Sequence, residues 1–271
     1  LSFFQGKNII ITGASSGIGE ALASELAKEG ANLAVAARNE KKLIELQSQI
    51  QTSHNKIVVI PTDVTVVEQC NHLVQETINQ LGGIDILINN AGISMRAPFE
   101  DTKLDVLHHL MNVNFWGATN CSMASIKELV KNKGSLVAVS SVIGFKGLPG
   151  RTGYAASKFA LNGLFETIRM EYLNRELHVL VACPGFTRSN IRVNALDGNG
   201  HLQASSPTDE SKIDDPQQVA WDIMQAIREK KSFMLHNKQG KLIFWLNKFF
   251  PRLLERIIHK QVAKELDSPI K

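Results

Sequence analysis

Along the chain, short β-branched runs alternate with longer amphipathic stretches. Lys7 to Thr12, Asn32 to Ala37, Ile57 to Pro61, Ile84 to Ile88, Ser135 to Ser140 and His178 to Cys183 are apolar at most positions, the pattern of strands buried on both faces. Between them, apolar residues recur every three to four positions. This predicts helices over Ile18 to Glu29, Glu40 to Gln51, Val66 to Gln80, one long helix from about Leu104 to Lys131, then Gly153 to Asn174 and Pro216 to Glu229. Strands and helices alternating in this way make an α/β fold, a doubly wound parallel sheet in three α/β/α layers. Its ligand crevice lies at the carboxyl ends of the strands.

From Pro184 to Pro216 the periodicity gives way to a stretch rich in Gly, Ser and Asn, too long for a simple connection and expected to be a lid over substrate. Helical periodicity returns near the C-terminus. There Leu242, Trp245, Phe249, Leu253, Ile257 and their neighbours form an apolar stripe, while Lys248, Arg252, Arg256, Lys260 and Lys264 recur every fourth residue. Pro251 cannot donate a helix hydrogen bond, so this segment is expected to form two helices or one kinked helix. The pattern divides the chain into an α/β domain over residues 1–236 and a C-terminal amphipathic helical extension over residues 237–271. The extension has two fates open to it: docking on its own domain or a second subunit, which is the commoner, or attachment to an anionic membrane surface.

Composition narrows the picture. The 271 residues are 44% hydrophobic and 21% charged, enough for one large core. A formal net charge of +4 with no aromatic-rich basic patch gives no reason to expect nucleic acid. Cys70, Cys121 and Cys183 are widely spaced and suggest neither a disulfide framework nor metal ligands, but small buried side chains. None of the eight histidines has metal-like spacing, so no metal is expected and the histidines are expected at the surface or an interface. No apolar run approaches the roughly 20 residues of a membrane span, and the N-terminal residues lack a signal-peptide pattern. The expected location is cytoplasmic, with the cytoplasmic face of a membrane as the alternative.

The candidate chemistry starts directly after the first strand, at Thr12-Gly13-Ala14-Ser15-Ser16-Gly17-Ile18-Gly19. Glycines here remove the Cβ atoms that would block a pyrophosphate from backbone amides and a helix N-terminus, so the fold is Rossmann-like. At the end of the second strand an acid would bind the ribose hydroxyls of NAD. Ala37-Arg38 stands there instead, and a guanidinium suits the 2′-phosphate of NADP. NADP (NADPH) is therefore expected over NAD. The plainer reading of Arg38 is a solvated strand-end cation, and Glu40 close by could blunt the preference. Farther on, Tyr154 and Lys158 are spaced i, i+4 on one helix face, where an ammonium favours phenolate and lowers the tyrosine pKa toward the range of an acid/base catalyst.

With this glycine turn, Asn89-Asn90-Ala91-Gly92 after the fourth strand and Tyr154-Ala155-Ala156-Ser157-Lys158, the sequence resembles the short-chain dehydrogenase/reductase family from about Gly6 to Ala226. The resemblance implies an oxidoreductase that passes a hydride between a nicotinamide and a carbonyl or secondary alcohol. In that scheme Tyr154 exchanges the proton, Ser141 bonds the substrate oxygen, Lys158 also holds the nicotinamide ribose, and Asn114 holds a water joining the lysine to solvent. Asp63 contacts the adenine, and Pro184, Gly185 and Thr187 lie beside the nicotinamide. Met95, Ile143, Phe145, Leu148, Phe186 and Ile191 line a largely apolar substrate pocket, so the expected substrate is lipid-like or steroid-like. A homodimer or homotetramer through the long helices is the family habit. Members that prefer NADP often carry a basic residue inside the glycine turn, and Ser15 and Ser16 leave that place neutral, so recognition would fall on Arg38. A nucleotide-binding sensor or membrane-recruited scaffold without turnover is the alternative, and the intact Ser141, Tyr154 and Lys158 set argues against it.

Overall fold

The computed structural model describes residues 2–189, 191–203, 213–265 and 268–270. Seven strands form one parallel sheet: β1 (Asn8–Thr12), β2 (Asn32–Ala37), β3 (Ile57–Pro61), β4 (Ile86–Asn89), β5 (Ser135–Val139), β6 (His178–Cys183) and β7 (Phe233–Leu235). Their order is β3-β2-β1-β4-β5-β6-β7, so the connections reverse direction between β1 and β4 and leave a crevice at the carboxyl ends of those strands. Successive strand side chains point to opposite faces, and this alternation builds two cores. Ile9, Ile11, Leu33, Val35, Ile86 and Ile88 pack beneath α1 (Gly17–Lys28), α2 (Glu40–Ile50) and α7 (Pro216–Arg228). Ile10, Ala34, Val58 and Leu87 face the other way, beneath α3 (Val67–Leu81), α5 (Gly117–Lys131) and α6 (Thr152–Glu171).

Two elements differ from the sequence pattern. The long predicted helix is α4 (Leu104–Met111) and α5 joined by a π-helical turn at Asn112–Trp116, a widening that hydrophobic period does not reveal. β7 was not predicted; three residues at a sheet edge carry too little alternation to be read. The histidines are not all at the surface either. His178 is buried, its ring bonded to Ser135 Oγ (2.9 Å) and to the Lys231 carbonyl (2.8 Å).

The C-terminal segment forms α8 (Lys238–Phe249) and α9 (Pro251–Val262), with Pro251 opening the second helix, where its missing N–H costs nothing. One face docks on the α/β unit. Phe244 packs edge-on against Phe145 (5.2 Å between ring centres), Asn247 Nδ2 donates to the Phe145 carbonyl (2.9 Å), and Leu254 and Val262 are buried. Two ion pairs clamp this face, Lys146–Glu255 (3.0 Å) and Arg96–Glu265 (2.7 Å). The opposite face leaves Leu242, Trp245, Phe249, Phe250, Leu253 and Ile257 exposed. Among the described residues, no helix is long and apolar enough to cross a membrane.

Candidate active site

A cleft of about 660 Å³ runs along the carboxyl ends of the strands. At one end β1 leads into the glycine turn. Gly13 has φ +67°, and a Cβ there would stand 2.8 Å from Ala91 Cα; at Gly19 a Cβ would run into the Gly13 carbonyl oxygen. Asn90 braces the turn, its Nδ2 donating to the carbonyls of Thr12 (3.0 Å) and Gly13 (3.2 Å). Thr12 Oγ1 in turn accepts from the N–H groups of Asn90 (3.0 Å) and Ala91 (3.1 Å). Ser16 opens α1 without capping it, so its side chain does not occupy the first amides of the helix. Gly13, Ser15, Ser16, Gly17, Ile18, Arg38, Asp63, Asn90, Ala91 and Gly92 all line this part of the cleft, while Gly19 supports the turn from behind.

These features fit a phosphorylated dinucleotide: a Cβ-free backbone cradle, uncapped helix amides and cations at the rim. The cations are Arg38 and a residue the sequence reading missed, Lys42, one turn farther on in α2. Glu40, which could have opposed them, is not among the cleft residues. Asp63 accepts from the Thr65 N–H (2.9 Å) and Oγ1 (2.8 Å). Burial raises its pKa, but those two bonds and the charges of Arg38 and His109 outweigh it and hold the carboxyl below its ordinary value.

Deeper in the cleft, β5 ends on Ser140 and Ser141, β6 ends on Pro184, Gly185 and Thr187, and α6 presents Tyr154 and Lys158. Ser141 Oγ accepts from the Ile143 N–H (3.2 Å), which leaves its own proton to donate into the cleft. Ser140 also lines the cleft, but its hydroxyl is committed to Asn162 Oδ1 (2.5 Å). Lys158 Nζ donates to the Val139 carbonyl (2.9 Å) and stands 5.8 Å from the centre of the Tyr154 ring. Burial pushes the lysine down to about 8, so it is still an ammonium at neutral pH.

Tyr154 departs from the spacing argument. Its pKa is raised rather than lowered, because burial dominates; the groups that pull it down are the Ser141 hydroxyl and the charge of Arg151. Asn114, on the π-helical turn, is held by Ile93: its Oδ1 accepts from the Ile93 N–H (2.8 Å) and its Nδ2 donates to the Ile93 carbonyl (3.0 Å) and Ser157 Oγ (2.9 Å). It sits behind the cleft wall, fixing the segment after β4 to α6. Its oxygen would meet a Cβ on Gly92 at 3.2 Å, and that same Cβ would lie 3.7 Å from Lys158 Nζ.

The expected substrate pocket is only partly correct. Ile143, Phe186 and Ile191 line the cleft, whereas Met95 and Leu148 belong to the apolar cluster around Leu110, and Phe145 supports α8. In their place stand Ser94, Val142, Leu196 and Leu202, together with Arg151 and Arg192. Both arginines are buried, and burial pushes Arg151 down to about 10. Arg151 lies three residues before Tyr154, but a cation just before a helix reads as solvated, so sequence offered no signal for it. The predicted lid, Pro184 to Pro216, lies partly outside the described residues at 190 and 204–212. Its described part supplies Phe186, Ile191, Arg192 and Leu202 to the cleft.

Residues 7–199 match the family model described as short chain dehydrogenase. The chain belongs to the short-chain dehydrogenase family. This short-chain dehydrogenase is similar to the "11-beta-hydroxysteroid dehydrogenase-like 2" of Arabidopsis thaliana, with 33% identity over 258 residues, 93% of this chain and 80% of the relative. Its fold is shared with a short-chain dehydrogenase/reductase of Burkholderia phymatum in complex with NAD (TM-score 0.83, 23% identity, 93% of this chain and 96% of that one). It is likewise shared with a short-chain dehydrogenase of Burkholderia cenocepacia in complex with NADP (TM-score 0.79, 21% identity, 94% and 98%). The protein is thus a nicotinamide-dependent oxidoreductase.

Proposed function

We propose that this short-chain dehydrogenase is an NADP-preferring reductase of largely apolar carbonyl compounds. The observation that carries the reading is one continuous cleft with Arg38 and Lys42 at its phosphate end and Ser141, Tyr154 and Lys158 at the other. Bound NADPH supplies the hydride. Tyr154, protonated at neutral pH like any phenol and raised further by burial, gives its proton to the carbonyl oxygen, and the Ser141 hydroxyl donates a hydrogen bond to the same oxygen. Lys158, still charged, stabilises the phenolate left behind. Val142, Ile143, Phe186 and Leu202 give the substrate end its apolar wall, in keeping with the steroid named in the Arabidopsis relative's description. Following NADPH and NADH oxidation across a panel of hydrophobic ketones tests this. Faster turnover with NADPH is expected, and equal or better efficiency with NADH overturns the cofactor preference.

The exposed face of α8 and α9 supports a further placement, on an anionic bilayer surface. Between residues 238 and 265 the only carboxylates are Glu255 and Glu265, and both are paired, with Lys146 and Arg96. Lys238, Lys241, Lys248, Arg252, Arg256 and Lys260 remain around exposed Trp245, Phe249 and Leu253. A second copy of so basic a face would repel it, whereas anionic headgroups complement it. The full chain should co-sediment with phosphatidylglycerol vesicles and not with phosphatidylcholine ones, and Trp245→Glu with Phe249→Glu should abolish pelleting. Equal recovery in the supernatant with both lipids removes the placement. A homodimer or homotetramer through α4, α5 and α6, whose outer faces expose Leu104, Met123 and Phe159, is the assembly we propose, and light scattering of the full chain measures it.

A further inference from the structure

The cleft holds a buried cation that takes no direct part in the proposed hydride and proton transfer. Arg151 is 7% exposed and stands at the head of α6, three residues before Tyr154. Its Nη1 donates both of its side-chain hydrogen bonds, to Ser94 Oγ (3.0 Å) and to the Met95 carbonyl (2.7 Å). Among the described residues no acceptor meets Nη2 or Nε, and no carboxylate lies within ion-pair distance of the guanidinium. Glu265, the carboxylate whose charge reaches it, is already taken by Arg96 at 2.7 Å. Asp63 is the only acid among the described cleft residues, and it sits with Arg38 at the opposite end of the cleft.

Burying a guanidinium that no described carboxylate pairs with is costly, and a core position would be better filled by an apolar side chain. Holding the segment at 94–95 to α6 uses one of its two Nη groups. The other Nη and Nε form the fork edge that pairs bidentately with a carboxylate. We propose that the carbonyl substrate carries an anionic group, a carboxylate on an otherwise apolar chain, and that Arg151 receives it. The substrate class is then an oxo acid, or in the reverse direction the corresponding hydroxy acid. Apolar residues of the cleft wall take the chain, and Ser141 and Tyr154 take the carbonyl oxygen. This rests on the carbonyl-reductase reading above and narrows it.

Unbranched oxo acids of increasing length, each compared with its own methyl ester, provide the probe. Binding is measured by calorimetry on the full chain loaded with NADP⁺, where no turnover occurs, and turnover is followed separately by NADPH oxidation. For at least one chain length the wild-type protein should bind the acid about tenfold or more tightly than the ester, as expected for a buried charge-assisted pair. Arg151→Gln should erase that preference while leaving the ester unchanged, and Arg151→Lys should keep part of it. Equal binding of acid and ester by the wild type, at every length, overturns the proposal. So does a fall in acid and ester alike in Arg151→Gln, which would place the arginine in loop positioning or in tuning Tyr154. A preference for the acid in binding with no NADPH oxidation would leave the anion site standing and remove the reductase reading.

Discussion

At the scale of single residues, burial decides more of the chemistry than spacing does. Tyr154 and Lys158 are one turn apart, yet the lysine binds the Val139 carbonyl, and the phenol is raised by its apolar surroundings. A protonated phenol suits the donation of a proton, so Tyr154→Phe should cut turnover by about 10²- to 10⁴-fold while NADPH still binds. Stopped-flow hydride transfer and a cofactor titration on the same preparation check both halves. Lys158 shows the cost of this arrangement. Its folded pKa of about 8 lies below the ordinary 10.5, so the unfolded chain binds more protons between these values and stability rises with pH through that window. The penalty is complete below pH 8 and gone above about 10.5. Lys158→Met should therefore raise stability by up to roughly 3 kcal/mol near pH 7, with the gain shrinking toward pH 10; denaturant melts at several pH values follow it. A gain independent of pH would refute this account. Residue identity and order were legible in the chain, which is why Ser141, Tyr154 and Lys158, which line one cleft, could be proposed together. The environment of each was not, because desolvation depends on what the rest of the fold stacks around it. Arg151 makes the same point: its burial exists only once Ser94 and Met95, some 56 residues away in the chain, close over it.

Elements carry the next set of consequences. The glycine turn works because Gly13 and Gly19 leave no room for a Cβ, the first against Ala91 and the second against the Gly13 carbonyl. Gly19→Ala should displace backbone rather than a flexible side chain, with an expected loss of about tenfold or more in NADPH affinity by fluorescence titration; unchanged affinity would show that the turn adapts. Arg38→Ala should lower the NADPH to NADH efficiency ratio, and the residual ratio reports what Lys42 contributes. The strands and helices of the doubly wound sheet were readable because each buries a continuous apolar face with a clear period. The π-helical turn at Asn112–Trp116 and the three-residue β7 were not readable, since a one-residue widening and so short an edge strand barely perturb that period. Sequence separation hid one more pairing: Cys70 and Cys121 Sγ atoms lie 3.5 Å apart, brought together where α3 packs on α5.

For the molecule as a whole, the C-terminal helices are the part whose placement matters most. They were open to docking or to membrane attachment, and α8 and α9 dock with one face while exposing the other. Leu254 is buried in that docked face, so Leu254→Ala should cost about 2–5 kcal/mol if α8 and α9 unfold together with the α/β unit, and markedly less in the global transition if they unfold first. Hydrogen exchange of α9 distinguishes these, and Glu265→Gln, which releases Arg96, should speed exchange there. By itself the sequence determined the order of elements, the glycine turn and which side chains to propose for catalysis, because these are written in local period, local backbone freedom and chain order. Only the tertiary structure decided that burial raises the tyrosine, which predicted pocket residues lie outside the cleft, which face of the extension stays outside, and that Arg151, without a carboxylate partner among the described residues, lines the cleft. Those properties depend on distance and solvent exclusion between segments far apart in the chain, and a linear pattern does not encode them.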